Sequence, residues 1–548
     1  MSSALSSPFM AESIAEVVPD VAKVAGKLAM SSVITGRRRV RLTPQSGQNY
    51  TSGASSGVVN ILIQDGQAYA DLLSACLSFQ VTVYDSANTT AVLTAPGIAS
   101  ACTLDDGAYS VFRRALVSVN STLMDDIDFL PKKVNAELYS TVSQAWYNTV
   151  GGFLGLWKHN TNTVAPTDAA GVAAGTADTL ISKYDIPSKV LQNAKKQQGL
   201  GAGASSAATA GAPFQPGQNQ YSIPVSLLSS FFRNDTLFPA RNAGQTYLQL
   251  NLASAVEAML CSGTVAPNAS YAISNLTLEI SYVDMHPTYL SLMDDLIETP
   301  GGSGVNWAFD AHLCSSQSIG AAAPGQKSVI VSKASQNMRS LQIVTQPSAA
   351  LASTNWLSQS TFSNPGAVDL QYRIGSLYYP AFPAIGEARM FMDLQDAFGS
   401  PESVDKSGII DTVNYYTSTP DTFNPAAAGT YGTLAAVGSG AIANVRPQPN
   451  QNNLGSLVVS KQPRSAWCDA FSYAICFDRL KHASFHGVDL DGINTLTSAG
   501  SQMVIQINCN PTNPNSGGNT VAPDTTITSI VRFTRVLHLG AGATSVIG

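Results

Sequence analysis

Several groups of residues in this 548-residue chain have types and spacings that could do chemistry. Gly53-Ala54-Ser55-Ser56-Gly57 spells G-x-S-x-G, whose serine is a nucleophile only on a sharp turn from strand into helix. Here the string leads into Val58-Val59-Asn60-Ile61-Leu62-Ile63, a strand pattern, so a plain Ser/Gly loop is expected. His482 and His486 stand four apart, the spacing at which one helix face can hold a metal ion. Gly487 follows at once and no third ligand is placed nearby, so surface histidines are expected. Asp489-Leu490-Asp491-Gly492-Ile493-Asn494 resembles a calcium loop, but its glycine comes fourth instead of sixth and Gly500 stands where the twelfth-position Glu belongs.

Asp125, Asp126 and Asp128 form the densest acidic cluster. A separated carboxylate pair could hydrolyse glycosides. These three are sequence neighbours beside Lys132 and Lys133, which points instead to charge pairing at a strand end. Gly199, Gly201 and Gly203 lie in an Ala/Ser tract with no strand before and no helix after, unlike a dinucleotide fingerprint. Asn-x-Ser/Thr sequons at Asn88, Asn120, Asn234, Asn268 and Asn275 carry little weight because the first thirty residues, with Glu12, Glu16 and Asp20, do not read as a secretory signal. No constellation makes a catalytic or metal site. The expectation is a non-enzyme with no cofactor and no small-molecule substrate.

Composition supports that direction. Only 12% of residues are charged, about half the ~25% of an average soluble domain, while 44% are hydrophobic. The missing charge is replaced by Gly, Ala, Ser, Thr and Asn, which suits a chain that hides much of its surface against copies of itself. A net charge of −6 argues against general coating of nucleic acid but allows a local basic patch. Seven scattered cysteines read as reduced thiols of an intracellular product. No run of 18 apolar residues is present to span a bilayer as a helix.

The elements that would position these residues follow from periodicity. Met10, Ile14, Val17, Val21, Val24 and Leu28 recur every three or four residues and predict an amphipathic N-terminal arm, interrupted at Pro19. Arg37-Arg38-Arg39-Val40-Arg41 is the one dense basic run, either a solvated flank or a contact for something anionic. Beyond it the texture is β. Leu77, Phe79, Val81 and Val83 alternate with polar residues, as do Leu248, Leu250, Leu252 and Leu276, Leu278, Ile280, Tyr282. A helical spacing runs through Val134, Leu138, Val142 and Ala145–Trp146 after Pro131. Residues 159–220 and 400–463 are too long for hairpin loops and read as functional or intersubunit insertions.

The chain also repeats itself. YLQLNL (247–252) followed by LTLEISYV (276–283) finds a counterpart in MVIQIN (503–508) followed by ITSIVRFTRVLHL (527–539), at offsets of 253 to 255. This predicts an all-β protein of two sandwiches: an arm (1–36), a first unit (37–290), a connector (291–306) and a second unit (307–548).

Longer strings sharpen this. GAYSVFRRALVSVNSTLMDDIDFLPKKVNAELYSTV (107–142), YSIPVSLLSSFFRNDTLFPARNAGQTYLQLNL (221–252) and LEISYVDMHP (278–287) resemble first-roll segments of the double jelly-roll major capsid proteins of polinton-like viruses and virophages. RIGSLYYPAFPAIGEARMFMDLQDAFG (373–399), with its Y-P-x-x-P string before a helix, and GVDLDGINTLTSAGSQMVIQINCN (487–510) are similar to second-roll segments. The resemblance spans about residues 40–548. The arm and its arginines share no motif with the family.

The resemblance implies two tandem eight-stranded jelly rolls per chain and a homotrimeric, pseudo-hexameric capsomer of an icosahedral double-stranded DNA virus. It further implies a place in the virion, assembly inside the host cell, and neighbouring capsomers and minor or penton capsid proteins as partners. On this reading the arm docks beneath the capsomer, and Arg37, Arg38, Arg39 and Arg41 face the particle interior, with genome or an internal membrane as the anionic contact. A carbohydrate-binding or carbohydrate-active β-sandwich is the competing class; it calls for exposed aromatic platforms and a separable acid pair. A fibre protein would need a repetitive shaft, and none is visible.

Overall fold

The computed structural model describes most positions within 33–154 and 218–398, together with 471–477, 503–509, 525–540 and 543–547. The arm residues Met10, Ile14, Val17, Val21, Val24 and Leu28 lie outside the described residues. So do positions 53–56, the His482/His486 pair, the 489–494 loop and nearly all of both insertions.

The first set of strands is β1 (Ile34–Leu42), β2 (Tyr50–Thr51), β3 (Val58–Ile63), β4 (Tyr69–Tyr84), β5 (Ala101–Leu104), β6 (Phe112–Val119), β7 (Thr122–Ile127), β8 (Gln218–Pro224), β9 (Thr246–Leu252), β10 (Met259–Ser262) and β11 (Ser270–Met285). Eight of them make two sheets, β1-β11-β4-β8 and β7-β6-β9-β3. The second set is β12 (Val305–Ser318), β13 (Gly325–Val331), β14 (Met338–Pro347), β15 (Ala367–Ile374), β16 (Leu377–Ile385), β17 (Ser472–Cys476), β18 (Met503–Cys509), β19 (Thr525–Gly540) and β20 (Ala543–Ile547). Its sheets run β12-β19-β14-β17 and β13-β18-β15-β16.

Numbered one to eight within each set, both sets read 1-8-3-6 over 2-7-4-5. That is one jelly roll built twice. The repeated strings of the sequence occupy the same positions in the two rolls: β9 and β18 are seventh strands, β11 and β19 eighth strands. A helix follows the fifth strand in both, α1 (Leu130–Thr141) in the first roll and, after α2 (Pro287–Glu298) between the rolls, α3 (Glu387–Phe398) in the second.

Alternation builds each core. In β3, and in β9 as far as Leu250, every second side chain is buried, as a strand with one face on the core demands. Ring pairs tie opposite sheets: Phe79 of β4 meets Phe112 of β6 edge-on at 5.5 Å, and Tyr372 of β15 meets Tyr473 of β17 at 5.4 Å. Asn120 and Ser121, both at positive φ (46° and 65°), close the β6–β7 hairpin in two residues, a geometry matched to strand twist.

Helix α1 starts with Pro131 in its first turn, where a missing N–H costs nothing. It stops at Thr141, before the Val142 and Ala145–Trp146 positions of the spacing read from sequence. Val142 is extended (φ −97°, ψ 143°), and the Ser140 and Thr141 hydroxyls donate back to the carbonyls of Ala136 and Glu137, competing with the helix ladder.

Candidate functional site

Arg37, Arg38, Arg39 and Arg41 lie on β1, the outer strand of its sheet. Their register against β11 sets Arg41 opposite Glu279 and Arg39 opposite Ser281. Each guanidinium meets a carboxylate: Arg37 reaches Asp71 at 2.8 Å, Arg38 pairs with Asp65, and Arg39 and Arg41 share Glu279 at 2.9 and 2.8 Å. The arginines remain 48–67% exposed, so each pair contributes at most ~1 kcal/mol.

Beside Glu279 and Arg41 lies an open cleft of about 420 Å³, also lined by Gln80, Gln220 and Asn275. It holds one carboxylate, already engaged by Arg41, and its one aromatic, Phe79, is buried in the core. A glycan site would need a second acid and an exposed ring. Neither is at this cleft.

The richer arrangement lies where the rolls meet. β7 of the first runs parallel to β12 of the second and bridges it once, at Leu313 and Asp126, fusing the two rolls into one nine-stranded sheet. Around that bridge sit charges that a core must pair. Asp125 is fully buried; its carboxylate accepts from Ser229 Oγ (2.5 Å) and from the His312 backbone N–H (3.1 Å). Burial pushes its pKa up, and those hydrogen bonds with Lys133 and Arg535 nearby pull the other way. Lys133 lies 2.8 Å from Glu137, which Arg233 also engages. Burial drives Lys133 well below the usual ammonium range, with the Arg233 charge adding to it.

On the second roll, Asp310 takes both Arg532 donors (2.9 and 2.5 Å), with Arg339 at 3.6 Å. Burial raises its pKa, but Arg532 and Arg339 outweigh that and hold it below the ordinary carboxylate value. Three further side chains then bond across the rolls. Arg535 donates to the carbonyls of Met124 (2.6 Å) and Leu123 (3.3 Å), Asn234 to that of Ala308 (2.6 Å), and Gln342 to that of Ala136 (3.3 Å).

Ser230, His312 and Asp125 have the residue types of a catalytic triad. Their geometry is different. Ser230 Oγ stands 3.4 Å from His312 Nδ1, while Asp125 binds the histidine's backbone N–H, not its ring, and all three side chains are buried. Desolvation, then the charges of Lys133, Arg233 and Arg532, hold His312 neutral, its pKa well below normal. The arrangement fixes one roll against the other.

The acidic cluster thus pairs as expected in kind, though with other partners. Arg114 clasps Asp126 through two bonds of 2.6 Å, and Arg113 lies 3.7 Å from Asp128. Lys132 instead sits over the Phe129 ring at 5.4 Å, its pKa lowered to about 8 by burial. Sequence reasoning passed over Lys133's partner Glu137 and also Arg233, Asp310, His312, Arg532 and Arg535. The available signal was charge on strands that otherwise alternate cleanly, as in Trp307-Ala308-Phe309-Asp310-Ala311-His312. Among the described residues no group of three or more His, Cys, Asp or Glu is arranged to hold a metal ion.

No family model matches the chain, and no curated protein sequence is significantly similar to it. Solved structures are similar. A chain of the Sputnik virophage structure, determined by cryo-EM, matches at TM-score 0.51 and 10% identity, over 94% of this chain and 89% of that one. The mavirus major capsid protein aligns at TM-score 0.44 and 9% identity over 94% and 91%, and the PBCV-1 virus capsid model at 0.47 and 9% over 95% and 99%. The fold is the double jelly roll, as the sequence reading expected.

Proposed function

We propose that this chain is the major capsid protein of an icosahedral double-stranded DNA virus, a structural component of the virion that works by self-assembly and not by turnover. One observation carries the reading: an eight-strand topology repeated in tandem and locked across a buried charged junction. Two like rolls per chain give six like units per homotrimer, a near-hexagonal tile. The low charge content of the chain suits one that spends its life packed against neighbours.

On this reading residues 37–290 and 307–548 are the two building units, 291–306 connects them, and the tiles contact neighbouring capsomers and minor or penton proteins. The arm carrying Met10, Ile14, Val17, Val21, Val24 and Leu28 docks beneath the tile, because an isolated helix of that length is marginal in water without a surface for its apolar face. The carboxylates that balance Arg37, Arg38, Arg39 and Arg41 favour a role for these arginines in the sheet edge over capture of the genome or a membrane.

Light scattering on the purified chain tests the assignment, followed by electron microscopy after concentration. A trimer that goes on to form closed shells is expected. A stable monomer that cleaves or retains a glycan would replace it with the carbohydrate reading.

A further inference from the structure

The junction inside the chain joins a fifth strand, β7, to a first strand, β12. The same two kinds of strand recur at the ends of two other sheets: the fifth strand of roll two, β16, and the first strand of roll one, β1. Each is the last strand in the order of its sheet. We propose that β16 of one copy docks against β1 of a second copy, repeating between chains the joint that β7 and β12 make within one, with Phe382 as its anchor. The inference rests on the assembly reading above.

The surface of β16 asks for a partner. Leu377, Tyr378, Phe382 and Ile385 are 60%, 44%, 84% and 69% exposed, and Met392 on the following helix is 46% exposed. So many large apolar groups on one strand and its neighbour make a patch of the kind found at interfaces. The patch is also shaped in advance. Leu370 pairs with Ala384 and Tyr372 with Tyr379, so residues 380–383 bulge outward opposite Gln371 alone. The Gln371 side-chain amide donates to the carbonyls of Pro380 (2.9 Å) and Ala381 (3.4 Å), holding the bulge from beneath. Phe382 stands at its tip. Pro380 and Pro383 lack N–H groups, so this edge resists a continuous ladder with any stray strand. Contact through side chains is what remains, and it is also how β7 meets β12, with a single backbone bridge.

The β1 edge is complementary. It offers Ile34, 41% exposed, and the stems and planes of four arginines whose charge is matched by four carboxylates, those of Asp65, Asp71, Glu279 and Asp284. Neutralised guanidiniums beside aromatic faces are a favourable pairing that spares the cost of burying bare charge. The two surfaces differ, so the contact is head-to-tail, and such contacts close into rings. In a ring of three chains the six rolls would alternate between internal and external joints of one kind.

The test combines two variants. Phe382→Asp with Ile385→Asp should weaken self-association about 30-fold or more, as loss of an anchor does, while circular dichroism and the melting temperature stay at wild-type values. Leu73→Asp, at an apolar position half exposed but on β4, should assemble normally. Arg37→Glu with Arg39→Glu should also block assembly, by setting negative charge against the aromatic faces. Each defective chain keeps the opposite edge intact, so mixing the two should yield one-to-one heterodimers and nothing larger. Normal trimers from either variant, or no heterodimer on mixing, would overturn the joint while leaving the capsid reading in place. A wild-type chain that never assembles at any concentration would overturn that reading and this inference together.

Discussion

The carboxylate of Asp125 accepts a hydrogen bond at 3.1 Å from the backbone N–H of His312, 187 residues further along the chain. One bridge cannot satisfy both facing strands at a parallel junction, so a side chain of roll one takes the place of a strand carbonyl for roll two.

Asp125→Ala should therefore cost about 3–5 kcal/mol, since it strands the His312 N–H, the Ser229 hydroxyl and the nearby Lys133 charge in the interior. Asp125→Asn keeps an acceptor oxygen and should cost less. Urea unfolding of both variants gives the order, and equal losses would count against the hydrogen bonds as the source.

His312 sets a pH dependence. Its folded pKa lies well below the ordinary 6.5, so below that pH the unfolded chain takes up a proton that the folded one refuses. Stability is lost as pH falls, by up to ~1.4 kcal/mol per pH unit from this residue. Asp125, pushed up by burial, acts in the opposite direction, so the informative quantity is the difference between wild type and His312→Gln. The variant should show the shallower loss of urea midpoint between pH 6.5 and 5; parallel curves would show that the imidazole is not the titrating group.

How much of this was readable in advance follows from which forces were local. Alternation in 77–83, 248–252 and 276–282 marked strands because burial of one face imposes period two whatever the partner. The duplicated order was visible because β9–β11 and β18–β19 keep the same spacing. The basic run was harder: Arg37–Arg41 has no apolar alternation beyond Val40 and Leu42, and only the register with Glu279 makes it a strand. The junction was invisible, because Asp125, Asp310 and His312 are explained by partners one or two hundred residues away. Nothing local announces them.

A protease site inserted within 299–303 should give two fragments that stay together on size exclusion, held by Arg535, Asn234 and Gln342 across the rolls. Fragments that separate without denaturant would show that the connector, not the junction, holds the units.

Removing residues 2–32 tests the docking arm. Trimers should still form, because the described rolls carry both edges, while closed particles fail. Normal shells from the truncated chain, seen by electron microscopy, would refute the arm's role.

The charge on β7 has a meaning for the order of synthesis. Roll one leaves the ribosome first, and until β12 exists its fifth strand is an open sheet edge. An apolar edge waiting there would invite the nascent chains of a crowded polysome to pair with one another. Asp125 and Asp126 keep that edge wetted during the wait. Asp125 is covered when the second roll arrives on the same polypeptide, bringing the N–H of His312 to its carboxylate and the guanidinium of Arg535 to the neighbouring carbonyls of Met124 and Leu123.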